Sequence, residues 1–144
     1  MTAFLLDVNV LIALIDPVHI QHDAAHNWFS SVGKVAWASC PITENAVLRI
    51  VGDARYPNSP GTPAAVGDVL VELLALPGHV FWEDDISLFD TQKVNTGRLL
   101  NSRQVTDSYL LALACAHGGQ LATFDRHLVV DAVVGGSRGF HLIR

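Results

Sequence analysis

Apolar residues in this chain come in short runs separated by polar residues, and the longest run lies near the N-terminus. Between residues 3 and 15 only Asp7 and Asn9 interrupt it. A run of this kind, without strict alternation, is typical of a buried strand in a parallel sheet covered on both faces. The pattern predicts that the first strand ends at Asp7 and that a short helix over residues 10–15 follows, stopped before Pro17.

The rest of the chain alternates between strand and helix signals. Further strands are predicted at residues 35–42, 79–83, 120–124 and 139–143. Helices are predicted at residues 23–32, 45–51, 64–76 and 106–116, and glycine or proline ends most of them. A loop is predicted at 53–63 and a helical turn at 87–89, whereas residues 91–103 give no clear signal. Strands that alternate with helices imply a parallel α/β sheet. We expect one domain over residues 1–144, a three-layer α/β/α fold with a central, mostly parallel, twisted sheet.

Composition limits the class of protein further. Half of the 144 residues are hydrophobic and 16% are charged, which is typical of one globular domain. No apolar run approaches the roughly 20 residues that span a membrane, and no basic residue precedes the first run, so a cytoplasmic protein is expected. Cys40 and Cys115 lie in apolar segments, which favours buried thiols over a disulfide. The net charge of −5 disfavours nucleic-acid binding unless acidic residues bind cations.

Four acidic residues stand at corresponding places along the pattern. Asp7 and Asp125 follow predicted strands, and Glu44 follows the second strand at the start of a helix. Asp107 lies at the start of the apolar helix predicted at residues 106–116. Because the carboxyl ends of parallel strands share one edge of a sheet, we expect the four to converge. Taken singly, each is equally well explained as a helix cap or as an acid stabilised by the helix dipole.

Convergence would have a chemical consequence. Four carboxylates in one place repel one another, so some would bind protons unless a cation neutralised them. Hard oxygen ligands of this kind suit Mg²⁺ or Mn²⁺ rather than zinc. Such ions can generate hydroxide from water and neutralise the developing charge of a phosphodiester.

The segments around these acids resemble the four signature blocks of PIN domains, and more closely those of the VapC toxins of toxin–antitoxin pairs. The blocks read Leu-Leu-Asp-Val-Asn at 5–9, Thr-Glu at 43–44, Thr-Asp at 106–107 and Leu-Ala-Thr-Phe-Asp at 121–125. The resemblance covers essentially the whole chain. It implies a Mg²⁺- or Mn²⁺-dependent endoribonuclease that forms a homodimer and is neutralised by a VapB-like antitoxin.

The resemblance also assigns roles to particular residues. The acidic quartet, as both catalytic and metal-ligating residues, corresponds to Asp7, Glu44, Asp107 and Asp125. The supporting polar positions correspond to Asn9, Thr106 and Thr123. Many relatives have a further acid two residues after the fourth, where this chain has His127, so the way a second ion is held is left open.

Other polar residues have competing interpretations. His22 and His26, with His19 nearby, have the spacing of a zinc-binding pair on a helix face, although surface histidines explain them as well. Arg103 and Arg126 flank the later acids and are candidate contacts to RNA phosphates.

Two further points concern residues outside the quartet. Trp28, Trp37 and Trp82 are predicted to pack in the core or in a subunit interface rather than to stack on bases. Ser39 is not predicted to be a nucleophile, because no histidine sits at a recognisable spacing from it.

Two rival functions remain. An aspartyl phosphatase would need a second Asp two residues after the first, where this chain has Asn9. A non-catalytic binding module that acts only through an antitoxin and operator DNA is the other alternative.

Overall fold

A central sheet of five parallel strands organises the molecule. The structure, a computed structural model, describes residues 2–144. Strand order across the sheet is β3-β2-β1-β4-β5, and every neighbouring pair is parallel. The strands are β1 Phe4–Leu6, β2 Trp37–Ser39, β3 His79–Phe81, β4 Gln120–Thr123 and β5 Phe140–Leu142. The predicted parallel sheet is confirmed, with β1 at its centre.

Helices cover both faces of this sheet. They are α1 Val8–Ile15, α2 His22–Ser31, α3 Pro41–Val51, α4 Pro63–Leu74 and α5 Gln104–Ala116. Helices α1 to α4 pack around one hydrophobic cluster, and α5 packs against β1 and β4 in a second cluster. The predicted α/β/α architecture is therefore confirmed.

Three helices begin at least two residues earlier along the chain than the sequence pattern predicts. Helix α1 begins at Val8 instead of residue 10, because Asp7 itself caps it. Helix α3 begins at Pro41, which the prediction had placed in a strand; proline suits the first helical position, where no backbone N–H is needed. Helix α5 begins at Gln104 rather than at residue 106.

The core predictions hold in most details. Trp37 and Trp82 are buried, and Trp28 is half-buried, where its indole donates a hydrogen bond to His141. Both cysteines are free thiols. Residues 87–89 form a plain turn and not a helical one, while 91–103 contain turns and the short 3₁₀ helix Thr96–Arg98. Over residues 2–144, none of the helices has the length and apolar character needed to cross a membrane.

Candidate active site

Asp7 lies where β1 ends and α1 begins, almost completely enclosed by the protein. Only 7% of it is exposed. One carboxylate oxygen, Oδ1, accepts a hydrogen bond from the Val8 backbone N–H at 2.8 Å, and Oδ2 accepts one from the Thr123 hydroxyl at 2.8 Å. Burial raises the pKa of the Asp7 carboxyl against these two hydrogen bonds, and the charge of Asp125 raises it further. Asp7 thus caps α1 and is also a carboxyl whose charged form is disfavoured by burial, so the helix-cap and metal-ligand interpretations are compatible.

Thr123, the last residue of β4, connects three of the predicted site residues. Pairing of Leu6 with Ala122 brings it alongside Asp7, and it is fully buried. Its hydroxyl donates to Asp7, accepts from the Asp125 backbone N–H at 3.0 Å, and accepts from the Asn9 amide at 3.4 Å. The hydroxyl thereby fixes the relative positions of the strand ends that carry Asp7 and Asp125.

Asp107 and Asp125 complete a group of three acids at the carboxyl ends of β1 and β4. Asp107 projects from the first turn of α5, and burial, followed by the charges of Asp7 and Asp125, raises its pKa to about 6. Asp125 follows β4 and accepts a hydrogen bond from the His127 backbone N–H at 2.9 Å. Both acids line a cleft of about 270 Å³ that also includes Arg103 and His127. We call Asp7, Asp107 and Asp125 the acidic triad.

Glu44 is held in a different way. It lies in the first turn of α3, and its Oε2 accepts a hydrogen bond of 2.6 Å from the hydroxyl of Ser39, the last residue of β2. The same hydroxyl lies 2.8 Å from Nε2 of His79. The charge of Glu44 acts on His79, whose pKa is lowered by burial against that charge. The structure therefore divides the predicted quartet into the acidic triad and a separately anchored Glu44.

Ser39 and His79 were missed as site residues by sequence reasoning. A histidine does lie beside Ser39, contrary to what spacing along the chain indicated, because parallel β2 and β3 bring the two together. Ser39 is nevertheless completely buried, and the carboxylate contacts the serine rather than the histidine. This order does not fit a nucleophilic triad, in which the histidine stands between acid and nucleophile.

The remaining predicted residues have different surroundings. Thr106 is exposed and takes part in none of the hydrogen bonds that organise the acids over residues 2–144. Arg103 and Arg126 are exposed, and of the two only Arg103 lines the cleft. His22 and His26 direct ring nitrogens to carbonyl oxygens of α1, at 2.7 Å from Ala13 and 3.0 Å from Leu14. These contacts identify the histidine pair as caps of the helix end and remove the reason for a zinc interpretation.

The donor atoms of the acidic triad match a hard divalent cation in kind. No basic side chain neutralises the triad, since the ion pairs found over residues 2–144 lie at Asp53, Asp85 and Asp90. The carbonyl oxygen of the Asn9 side chain is buried beside them without a hydrogen-bond partner. Uncompensated carboxylates and an orphaned amide oxygen are the ligands that Mg²⁺ and Mn²⁺ prefer. As they stand in the structure, no three or more His, Cys, Asp or Glu side chains of residues 2–144 are grouped closely enough to hold a metal ion, so the triad carboxylates would have to move towards a bound cation.

Comparison with known proteins gives a consistent result. A family model described as PIN domain matches residues 4–132. The chain is 42% identical to ribonuclease VapC44 of Mycobacterium tuberculosis, over 93% of this chain and 94% of the relative. It is 43% identical to ribonuclease VapC39 of the same organism, over 94% of this chain and 96% of that one. Ribonuclease VapC38 is 40% identical over 84% of each chain.

Proposed function

From the premise that this chain belongs to the PIN-domain family and to its VapC ribonucleases, we propose that it is an endoribonuclease toxin of a toxin–antitoxin pair. It hydrolyses RNA phosphodiester bonds with the help of Mg²⁺ or Mn²⁺. The observation that carries this proposal is the acidic triad. Burial, followed by the charges of neighbouring triad members, raises the pKa of Asp7 and Asp107, and no basic side chain of residues 2–144 forms an ion pair with the triad.

Each residue has a defined part in this reaction. Asp7, Asp107 and Asp125 would hold the cation, and the cation would lower the pKa of a bound water and neutralise charge on the phosphate. Thr123 and Asn9 keep the Asp7 carboxylate in place. Glu44, anchored by Ser39, holds a second ion or orients the attacking water. Arg103 at the rim of the cleft is placed to contact the phosphate backbone of the RNA.

The partners follow from the same premise. A VapB-like antitoxin neutralises the enzyme, and a net charge of −5 suits a basic antitoxin segment. Two copies form a homodimer, which light scattering would report as twice the chain mass of 15.5 kDa. The protein acts in the cytoplasm, where its RNA substrates are.

The test is RNA cleavage by purified protein with Mn²⁺ or Mg²⁺. Asp7→Asn keeps the shape of the side chain but removes its charge, and cleavage should fall by about 10²–10³-fold or more. Asp68→Asn, an exposed position on α4, is the matched control and should cleave like the wild type. Asp7→Asn protein that is folded by circular dichroism and cleaves at the wild-type rate would disprove the assignment.

The same assay addresses the non-catalytic alternative. If folded wild-type protein cleaves no RNA with either ion but co-purifies with a VapB-like antitoxin, the binding-module function replaces the ribonuclease function. An aspartyl phosphatase has no support, because the position where it needs a second Asp is occupied by Asn9.

A further inference from the structure

Three side chains from separate elements form an unbroken chain of hydrogen bonds at the carboxyl end of β2. His79 begins β3, Ser39 ends β2, and Glu44 lies in the first turn of α3. The Ser39 hydroxyl is 2.6 Å from Oε2 of Glu44 and 2.8 Å from Nε2 of His79. The serine is completely buried, so no water competes for its hydroxyl.

The number of available protons determines which group donates in each of these two hydrogen bonds. A serine hydroxyl has one proton, and a hydrogen bond to a carboxylate is stronger than one to a neutral imidazole. The proton of Ser39 therefore belongs to the bond with Glu44. At 2.8 Å, the imidazole must then donate from Nε2 to the serine oxygen, because two lone pairs facing each other at this distance would repel. His79 thus donates to Ser39, which donates to Glu44.

The first two members of the chain are rigid. The His79 ring packs on the fully buried ring of Trp37, with 4.5 Å between ring centroids. Ser39 is fixed by the pairing of β2 with the edge strand β3, in which it lies opposite Phe81. Glu44, in contrast, is only half-buried and has three rotatable bonds, so on its own it would occupy several orientations.

We propose that Ser39 and His79 are positioning residues that fix the Glu44 carboxylate for the reaction at the neighbouring acidic triad. By occupying Oε2, Ser39 leaves Oε1 available for an ion or the attacking water. This inference rests on the proposed function, since it gives Ser39 and His79 a role only through Glu44. It goes beyond the acidic quartet, because neither residue belongs to it.

The kinetic test uses matched substitutions. Ser39→Ala should lower single-turnover RNA cleavage by about 10- to 100-fold with little change in RNA affinity, as removal of supporting hydrogen bonds does. Ser39→Thr retains the hydroxyl and should keep most activity. His79→Gln retains a donor near the position of Nε2 and should be closer to the wild type than His79→Leu.

A double-substitution cycle separates positioning from general structural damage. In protein that already carries Glu44→Ala, adding Ser39→Ala should cause no further loss of cleavage, because the serine acts only through the glutamate. Losses that multiply in the double variant would overturn the proposal. So would wild-type cleavage by folded Ser39→Ala protein.

An NMR measurement on metal-free wild-type protein tests the same chain without relying on activity or on any variant that fails to fold. Long-range ¹H–¹⁵N spectra should show His79 protonated at Nε2, and an unprotonated Nε2 would overturn the direction of the chain and with it the proposal. In Ser39→Ala protein, the Glu44 ¹³Cδ signal should shift from its wild-type position.

This measurement also separates the two proposals. If the wild type cleaves no RNA, the proposed function fails. A protonated Nε2 and a shifted Glu44 signal then still support the positioning role of Ser39 and His79, while an unchanged Glu44 signal contradicts it.

Discussion

The acidic triad and Glu44 differ in how their negative charges are compensated. In the acidic triad, burial and mutual repulsion raise the pKa of Asp7 and Asp107, and only hydrogen bonds to Asp7 offset them. Glu44 instead accepts a hydrogen bond from a buried serine and is not among the charges that raise the pKa of Asp7 and Asp107. A site that lacks compensation needs a cation, whereas a satisfied carboxylate can do its work as an oriented group. This difference is the reason for the proposal that the primary ion belongs to the triad.

The largest effect on ion binding by the triad is expected from removing the Thr123 hydroxyl, which connects the ends of β1 and β4. Thr123→Val deletes the donor to Asp7 and the acceptor for the Asp125 backbone N–H. Mn²⁺ affinity, measured by calorimetry, should fall about 10- to 100-fold, as for other supporting hydrogen bonds around metal ligands. Thr106→Val at an exposed position is the control and should bind like the wild type. Equal losses in both variants would contradict the role given to Thr123.

The pH dependence of ion binding should come from the triad alone. The pKa of Asp107 is raised to about 6 in the metal-free protein, so the ion must displace a proton below that pH. Apparent Mn²⁺ affinity should decrease by about tenfold for each pH unit below 6. Glu44→Gln should leave this pH dependence unchanged. If the pH dependence disappears in Glu44→Gln, the titrating group is Glu44 and not a member of the triad.

Removing a triad charge should stabilise the metal-free protein. A carboxyl whose folded pKa is raised keeps its proton longer than in the unfolded chain, so stability is lost as the pH rises from 3.8 to about 6. At pH 7 in EDTA, Asp107→Asn should regain part of this lost stability. The gain is only partial because Asp107 is half-buried and solvent screens its charge. The melting temperature should rise by roughly 3–5 °C, equivalent to about 1 kcal/mol in a domain of this size.

Two controls define that result. Glu44→Gln should give no such gain, because it weakens an existing hydrogen bond with Ser39. Mn²⁺ should raise the melting temperature of the wild type and not that of Asp107→Asn. An Asp107→Asn protein that is less stable than the wild type in EDTA would show that the triad is not repulsive.

The smallest effect concerns the rim of the cleft. Arg103→Gln should raise the KM for RNA by roughly two- to fivefold and reduce the salt slope of binding by about 0.7, the value for one lost phosphate contact to a single strand. The chemical step should be unaffected. Arg138→Gln, also an exposed arginine but beside β5 in a different pocket, is the matched control. Identical salt slopes for Arg103→Gln and the wild type would remove Arg103 from the RNA path.

Sequence reasoning reached the order of the acids and the parallel sheet because both depend on local pattern. The alternation of apolar strands and helices determines the layers, and Asp7 and Asp125 stand visibly at strand ends. Helix starts were less accurate, since α1, capped by Asp7, and α3, which begins at Pro41, both start earlier than the periodicity indicates.

The anchoring of Glu44 could not be read from the sequence at all. Ser39 and His79 are 40 positions apart and meet only because β2 and β3 pair in a particular register. Thr106 is the converse case: it stands beside Asp107 in the chain, but its side chain is exposed and outside the hydrogen bonds that organise the acids. Contacts between neighbouring strands depend on register and rotamer, which no short motif specifies.

We propose that the acidic triad, and not Glu44, binds the primary cation. Calorimetric titration of Mn²⁺ into wild-type, Asp107→Asn and Glu44→Gln proteins at pH 7 tests it most directly. We expect Asp107→Asn to lose the high-affinity ion and Glu44→Gln to retain it with an affinity close to that of the wild type. Wild-type affinity in folded Asp107→Asn, or loss of the ion in Glu44→Gln alone, would contradict it.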